Sequence, residues 1–416
     1  MKIKVSDIAD LNLSSIGKNK PTEIIYFDTK SITNGIVNRF NVQKIQHKFP
    51  SRAKRRVKHN TILYGTVRPI QKHYGILKNP HKNLIVSTGF ITLDIKDDFL
   101  DKVDPHYLYY FLTRDKVVNH LQMIAKLNDS SYPAIYPDDL GNLEIKIPSF
   151  DYQKKISEFI MDIDKKISIN KLIINALISK ITTLYNYWFY QFEFPEYKTK
   201  QKKEMFFNSV LNREMPKDWQ IIKLNEYLSF EKGIDGFSKI GYQFKNEQKD
   251  SIRYYKVRNL NSFEQIEMQS DTDFIDLKYW IKNNNTLNLA KPNDILISFD
   301  GTAGKMGFGL NGAFSGGIRK VVPKNGFFPK SYLLALLASN EVQQRIKNFT
   351  TGGNIKHASD AINDLSVAYN EDIVTMFDKE TNNYFDIIID KIIENRDLNS
   401  FKKWLIPNLI DNVIGI

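Results

Sequence analysis

The sequence predicts an α+β chain built as a pseudo-two-fold repeat: two globular α/β domains, each followed by a long helix. Three observations carry this. Two extended helical patterns punctuate the 416 residues. The stretch before each helix mixes short alternating strands with Gly, Asn and Pro turns and brief helices. The two halves also match each other at four places in the same order.

The first helical pattern follows Pro148. Ile156, Ile160, Ile163, Ile167, Asn170, Ile174, Leu177, Ile181, Leu184 and Trp188 recur in alternating steps of four and three. That is a heptad seam. Roughly 40 residues at 1.5 Å each give a rod on the order of 60 Å. Asn170 alone interrupts the apolar stripe. Either it is buried and fixes register, or the seam drifts and leaves it in water. The second pattern runs from about Glu371 to Leu405 on Phe377, Phe385, Ile389, Ile392, Leu398, Trp404 and Leu405. Pro407 should end or kink it. The basic, aperiodic "EFPEYKTKQKKEMFFNS" reads as a linker. The expected boundaries are 1–148 for the first domain, 149–192 for the central helix, 193–213 for the linker, 214–370 for the second domain and 371–416 for the last helix.

The repeat is weak but ordered. "YLYYFLTRDKV" at Tyr107 matches "YLLALLASNEV" at Tyr332, and "NTILYG" at Asn60 matches "NDILIS" at Asn293. "STGF" at Ser87 matches "SGGI" at Ser315, and "PDDLGNLEI" at Pro137 matches "SDAINDLSV" at Ser359. The offsets drift in one direction along the chain, as small insertions would make them.

Composition bounds the function. Lys and Arg exceed Asp and Glu by 59 to 47, a net charge of +12. This favours a polyanionic partner, although a solvated surface gives the same count. No cysteine is present, which excludes a disulfide scaffold, a thiolate zinc site and a cysteine nucleophile and fits a reducing cytoplasm. Aspartates stand in "MKIKVSDIAD" where a signal peptide needs an apolar run. No segment approaches about 18 uninterrupted apolar residues, so no membrane span is expected.

The one catalytic-looking arrangement is Asp138, Glu144 and Lys146, a P-D…E-x-K set of the kind with which nucleases hold Mg²⁺. In the internal repeat Asp138 faces Asp360, but Glu144 faces Ser366 and Lys146 faces Ala368. What recurs is the turn and the apolar strand face. In "LEIKI", Glu144 and Lys146 share one side of a strand and Leu143, Ile145 and Ile147 the other, so a strand with a wet face is favoured over a nuclease. "GTAGKMGFGLNG" lacks Walker spacing and reads as a Gly-rich turn. The seven histidines show no H-x-x-x-H or H-E-x-x-H spacing, so no metal site is expected. No Pro-Pro dipeptide, and so no amino-methyltransferase loop, is present, nor a Ser/His/Asp arrangement.

Basic residues interleaved with aromatics are more informative. "PSRAKRRVKHN" carries Arg52, Lys54, Arg55, Arg56 and Lys58, and "TVRPIQKHYG" carries Arg68, Lys72, His73 and Tyr74. In the second half stand Arg253, Lys256, Arg258 and Asn259, then Lys305, Arg319, Lys320, Lys356 and His357. Arg can fork onto guanine, Asn onto adenine, and Lys can hold phosphate. These are the candidate DNA-binding residues, one patch in each half. The aromatics Tyr185, Tyr187, Trp188, Phe189 and Phe192 at the end of the first helix are either local core or a partner interface.

With these features together, the sequence resembles the specificity (S) subunits of Type I restriction–modification systems over nearly its whole length. "PSRAKRRVKHNTILYGTVRP" resembles their P-S-R-A-x-R…G-D-I-L-x-S-T-V-R stretch. "YPAIYPDDLGNLEIKIPSFDYQKKISEFIMDIDKKI" resembles the domain-to-helix junction, and "NDILISFDGTAGKMG" the second domain's G-D-I-L-x-S-x-x-G-T-x-G. Asp151-Tyr152-Gln153 stands in place of the usual Pro pair and E-Q, and "YNEDIVTMFDKE" matches the second junction poorly.

The resemblance implies two target-recognition domains joined by two antiparallel, coiled-coil helices. Each domain would read one half of a bipartite site in double-stranded DNA, and the helices would act as spacer and docking surface. The implied partners are two methyltransferase (M) subunits and, through them, restriction (R) subunits, with no membrane. The chain itself would be non-catalytic and hold no cofactor; S-adenosylmethionine, ATP and Mg would belong to the partner subunits. Alternatives are a Mg-dependent nuclease, or a coiled-coil scaffold for protein or RNA.

Overall fold

The structure is a computed structural model that describes residues 2–17, 21–37, 42–129, 131–195, 204–244, 247–260, 272–283, 289–349 and 361–411. The chain divides into two compact units: Met1–Lys165 with Ser400–Ile416, and Lys166–Asn399. Each unit contains a globular part and a stretch of both long helices.

In the first unit an antiparallel sheet runs in the order Ala9–Leu11, Phe90–Ile95, Ile62–Gly65, Tyr74–Ile76. Phe90–Ile95 and Ile62–Gly65 are buried at every residue; buried Asp94 on the first accepts from the Thr61 hydroxyl at 2.6 Å. A second sheet has the order Gln43–Ile45, Ile24–Phe27, Leu84–Ser87, Ala53–Arg56, with its central pair parallel. The helix Pro105–Leu112 opens with proline at its first position. Asp104 caps it, accepting from the Tyr107 amide at 2.8 Å.

The second unit repeats the first sheet strand for strand: Leu228–Lys232, Ile318–Pro323, Ile295–Ser298, Met306–Gly307. It also repeats the short pair that precedes each long helix. Lys2–Lys4 pairs with Glu144–Lys146 in one unit, and Gln220–Lys223 with Ser366–Tyr369 in the other. The copies differ in their solvent faces. Glu144 and Lys146 are exposed around buried Ile145, whereas Ser366–Tyr369 is buried throughout. The second sheets diverge at an edge. The parallel pair recurs as Ser251–Tyr255 with Ala313–Phe314, but no strand corresponding to Ala53–Arg56 lies beside Ala313–Phe314 among the described residues.

The long helices are Phe150–Tyr185, continued by a π-turn at Asn186–Tyr190, and Glu371–Ile410. They pair antiparallel in both units. In the second, Asn170 meets Asn395 and Lys180 meets Tyr384; in the first, Asp164 meets Lys402. Ile156, Ile160, Ile163, Ile167, Asn170, Ile174, Ile181 and Trp188 are buried. After Ile174 the seam moves by one residue: Ile178 and Tyr185 are buried, whereas Leu177 and Leu184 are half-buried. A helix of 3.6 residues per turn drifts against a 3.5 repeat, and one extra step of four absorbs the drift. By length and composition alone Phe150–Tyr190 is long and apolar enough to cross a membrane; its buried isoleucines are the ones in the helix seam.

Asn170 is buried, not displaced. Its Nδ2 donates to Asn395 Oδ1 at 2.9 Å and to Glu394 Oε2 at 3.0 Å, and Asn395 Nδ2 donates to the Ile167 carbonyl at 3.3 Å. Hydrogen bonds from Lys391 foremost, then from Lys166 and Asn170, hold the Glu394 carboxyl below its ordinary pKa. Pro407 does not end the second helix: it is exposed in the last turn, and the helix runs on to Ile410. Trp404, expected on the apolar side, is exposed. At the end of the first helix Tyr185, Trp188, Phe189 and Phe192 are core, and Tyr187 is exposed.

Gln153, at the unusual junction, is fully buried. Its Oε1 accepts from the Asp104 amide at 3.0 Å, and its Nε2 donates to the carbonyls of Lys102 and Pro148 at 2.8 and 3.0 Å. Gln153→Ala orphans three backbone groups and is expected to destabilise the first unit by about 1–3 kcal/mol in urea denaturation. One helix turn on, Ser157 donates to Asp104 at 2.6 Å. The second unit makes a comparable bond between the matching helix and the long helix, two residues further into the former: Ser331, near the start of Lys330–Ala338, donates to Asp378 of the long helix at 2.7 Å.

Candidate nucleic-acid interface

In the first unit the basic run forms the edge strand Ala53–Arg56 and its flanks. Lys54 and Arg56 are exposed on the strand, Arg52 before it and Lys58 after it. Arg55 is half-buried; its Nε donates to the Phe90 carbonyl at 3.2 Å, and burial lowers its pKa. The turn Thr88–Gly89 joins this strand to the second basic stretch. The Thr88 amide donates to the Arg52 carbonyl, and the Thr66 amide to the Gly89 carbonyl, each at 2.9 Å.

That second stretch is a braced loop. The Arg68 amide donates to the Pro133 carbonyl at 2.9 Å, and the Ile70 amide to Gln122 Oε1 at 3.1 Å. Arg68 and Lys72 bracket the 3₁₀ turn Pro69–Gln71, both left-handed with φ of 47° and 58°. For residues carrying a Cβ this costs about 1–2 kcal/mol each. Lys72 pairs with Asp115 at 3.1 Å. Arg68 is exposed. His73 Nδ1 lies 2.9 Å from the Ile32 carbonyl. Tyr74 is not a surface residue: its ring packs 5.6 Å from Tyr64 and 6.2 Å from Tyr109. It alternates inward on a strand, which its basic neighbours in sequence conceal.

In the second unit Lys256 and Arg258 converge on one buried carboxylate oxygen, Asp273 Oδ2, at 2.7 and 2.9 Å. Arg258 keeps half its side chain in solvent. Arg253 lies 5.9 Å over the Phe274 ring. Lys320 is largely covered and paired with Glu231 at 2.8 Å. Lys305 is half-buried at the end of the Gly-rich turn, its amide on Ser298 Oγ at 2.9 Å.

Two candidates there are structural. Asn259 is buried, and its Oδ1 closes the turn by accepting from the Lys256 amide at 2.8 Å. Arg319 is buried, its guanidinium on the carbonyls of Gly316 and Ile318 and 3.7 Å from Asp300. The turn needs a donor inside it, so Arg319 braces the loop. Lys356 and His357 lie outside the described residues. Asp273 was not anticipated: it lies in a different strand from the cations it holds, and only pairing of the strands Ser251–Tyr255 and Asp273–Asp276 brings it near.

The two patches are not repeat-mates. The run Ala53–Arg56 of the first sits on an edge strand without a counterpart among the described residues of the second unit. The second sits on the 3₁₀ turn Val257–Asn259, whose counterpart is the turn Thr29–Ser31 behind Asp28. The nuclease-like set is dispersed in role: Glu144 is exposed and 3.5 Å from Lys2, Lys146 is exposed, and Asp138 lies in the short helix Pro137–Gly141. Among the described residues no group of three or more His, Cys, Asp or Glu side chains is placed to hold a metal.

The family model described as the Type I restriction modification DNA specificity domain matches residues 1–179. The specificity subunit of the Type I restriction enzyme HindI from Haemophilus influenzae is 25% identical over 45% of this chain and 42% of its own length. The MjaIX specificity subunit from Methanocaldococcus jannaschii is 29% identical over 48% of this chain and 42% of its own. The chain thus matches about two-fifths of the length of these curated relatives. The solved S subunit of a Type-I restriction-modification system from M. genitalium aligns over 95% of both chains, with a TM-score of 0.43 and 15% identity. Residues 1–179, which contain the basic edge strand and the braced loop, are thus similar to the specificity domain of Type I restriction–modification systems.

Proposed function

We propose that this chain is the sequence-specific DNA-recognition subunit of a Type I restriction–modification complex. The observation that carries the reading is the exposed cations Arg52, Lys54 and Arg56, on and beside the strand Ala53–Arg56, and Arg68 in the braced loop, two backbone segments that the Thr88–Gly89 turn bridges inside the segment that matches the specificity-domain family. On this reading the globular parts of residues 1–148 and 214–370 each contact one half of a bipartite duplex site. The different topological positions of their basic patches suit two unlike half-sites. The long helices serve as spacer and as the docking surface for two methyltransferase subunits, through which restriction subunits join. Chemistry, with S-adenosylmethionine, ATP and Mg²⁺, belongs to those partners. The chain itself is non-catalytic and acts in the cytoplasm.

The test is selection of bound duplexes from a randomised pool by the full chain, alone and with methyltransferase subunits. A two-part motif is expected, with affinity falling steeply as salt rises. Arg258→Ala is expected to cost about 1–3 kcal/mol and to relax one position if that guanidinium reads a base; Arg56→Ala, if it holds phosphate, should weaken all sequences alike and lower the salt slope. Binding without sequence preference in the assembled complex would overturn the reading.

A further inference from the structure

The braced loop of the first unit has a structural twin in the second. Strand Ile62–Gly65 pairs with Tyr74–Ile76, and Ile295–Ser298 with Met306–Gly307, at the same place in equivalent sheets. The last backbone contact before each loop is Gly65 amide to His73 carbonyl in one and Ser298 amide to Lys305 carbonyl in the other. Counting from those contacts, the third loop residue is Arg68 in the first unit and Gly301 in the second, and the last is Lys72 and Gly304. All four are left-handed, with φ of 47°, 75°, 58° and 84°. The left-handed φ is shared at both positions, in loops that differ in length by one residue. The second unit adopts it with glycine, at no steric cost, and the first adopts it with side chains that disfavour it.

A side chain kept where glycine would be easier needs a reason. Among the described residues ten other than glycine have positive φ, and seven are Asn or Asp, which tolerate that region. The other three are Arg68, Lys72 and Phe192. Phe192 is buried with its ring 4.9 Å from Trp219. Lys72 has Asp115. Arg68 is exposed, and among the described residues its guanidinium has no hydrogen-bond or ion-pair partner. Its backbone is fixed by the Pro133 carbonyl and by Gln122 two residues on, so the group projects from a rigid base. Strain of this kind collects at ligand-binding positions.

We propose that Arg68 is a specificity-determining DNA contact, its guanidinium placed by the left-handed backbone to bind a phosphate oxygen or a guanine edge in one half-site. This rests on the DNA-recognition reading above. It separates two properties that a structural arginine would keep together. Arg68→Gly relieves the backbone and removes the ligand.

The experiment compares the full chain and its Arg68→Gly and Arg68→Lys variants, assembled with methyltransferase subunits, by thermal unfolding and by binding to duplexes selected by the wild type. The unfolding midpoint of Arg68→Gly is expected to stay level or rise, while affinity falls on the order of five- to a hundred-fold. Arg68→Lys separates the two DNA sources. Near-full rescue across sequences marks a phosphate contact, and relaxation at one position marks a guanine contact; either supports the proposal. A midpoint that falls in Arg68→Gly, or an affinity and motif unchanged in that variant, overturns it. A wild-type complex that selects no motif removes the recognition reading itself, and the proposal with it.

Discussion

Phe377→Ala is expected to destabilise the second unit by about 3–5 kcal/mol, the largest loss predicted for any single substitution here. Phe377 is fully buried, and its ring meets Tyr185, Trp188, Phe189 and Tyr332 at 6.3, 5.7, 5.4 and 6.2 Å, all four edge-on. Each such pair is worth about 0.5–1.5 kcal/mol beyond its area. Alanine forfeits them together and leaves a cavity among rigid rings that cannot close over it. The knot joins the end of one long helix to the start of the other and to the helix Lys330–Ala338, so the loss should appear as a lower denaturant midpoint. Phe377→Leu, which fills more of the space, is expected to cost less than half as much. A loss below about 1 kcal/mol for alanine would mean that the knot can collapse and is not a fixed joint.

The second large effect is a coupling. Asn170→Leu leaves Asn395 Oδ1 buried without its donor, and Asn395→Leu removes one of the two acceptors of the Asn170 amide, leaving it Glu394 alone; each is expected to cost about 1–3 kcal/mol. The double change to leucine is expected to be close to neutral or stabilising. Asn170 Oδ1 is already buried without a partner among the described residues, so the native pair is an incomplete one. The apolar pair also joins a seam of isoleucines. Chemical denaturation of all four proteins gives the coupling energy. The same double variant should lose alignment. With no native cysteine in the chain, cysteines at Lys180 and Tyr384, which touch, report the register by cross-linking. Additive single effects would show that the two asparagines act separately.

The helices and the repeat were legible because their signals are local. The heptad steps are visible as far as Ile174, and the doubly buried strands Ile62–Gly65 and Ile295–Ser298 stand out as matching apolar runs. The shift to Ile178 and Tyr185 was not legible: it accumulates from a tenth of a residue per turn, and Leu177 and Leu184 satisfy the pattern equally well in sequence. For the proposed site, charge alone drew up the candidates, and the fold turns some of them inward. Arg319, Asn259 and Tyr74 carry suitable chemistry but face inward, and only the folded strands decide that. Asp273 escaped for the opposite reason, since a search for cations passes over the acid that aims them. The backbone at Arg68 has no signature in sequence beyond the glycine in its repeat-mate.

The hydroxyl–carboxylate pairs Asp104–Ser157 and Ser331–Asp378 bear on how such a chain could be rebuilt from its own pieces. Grafting the last helix onto the first globular part would put Asp378 in the place of Ser157, near the carboxylate of Asp104. The reverse graft would put Ser157 in the place of Asp378, near Ser331, and remove the charge there. Chimaeras that divide the chain between a globular part and its own long helix therefore lose the hydroxyl–carboxylate bond, and shuffled halves keep it only if the cut falls elsewhere.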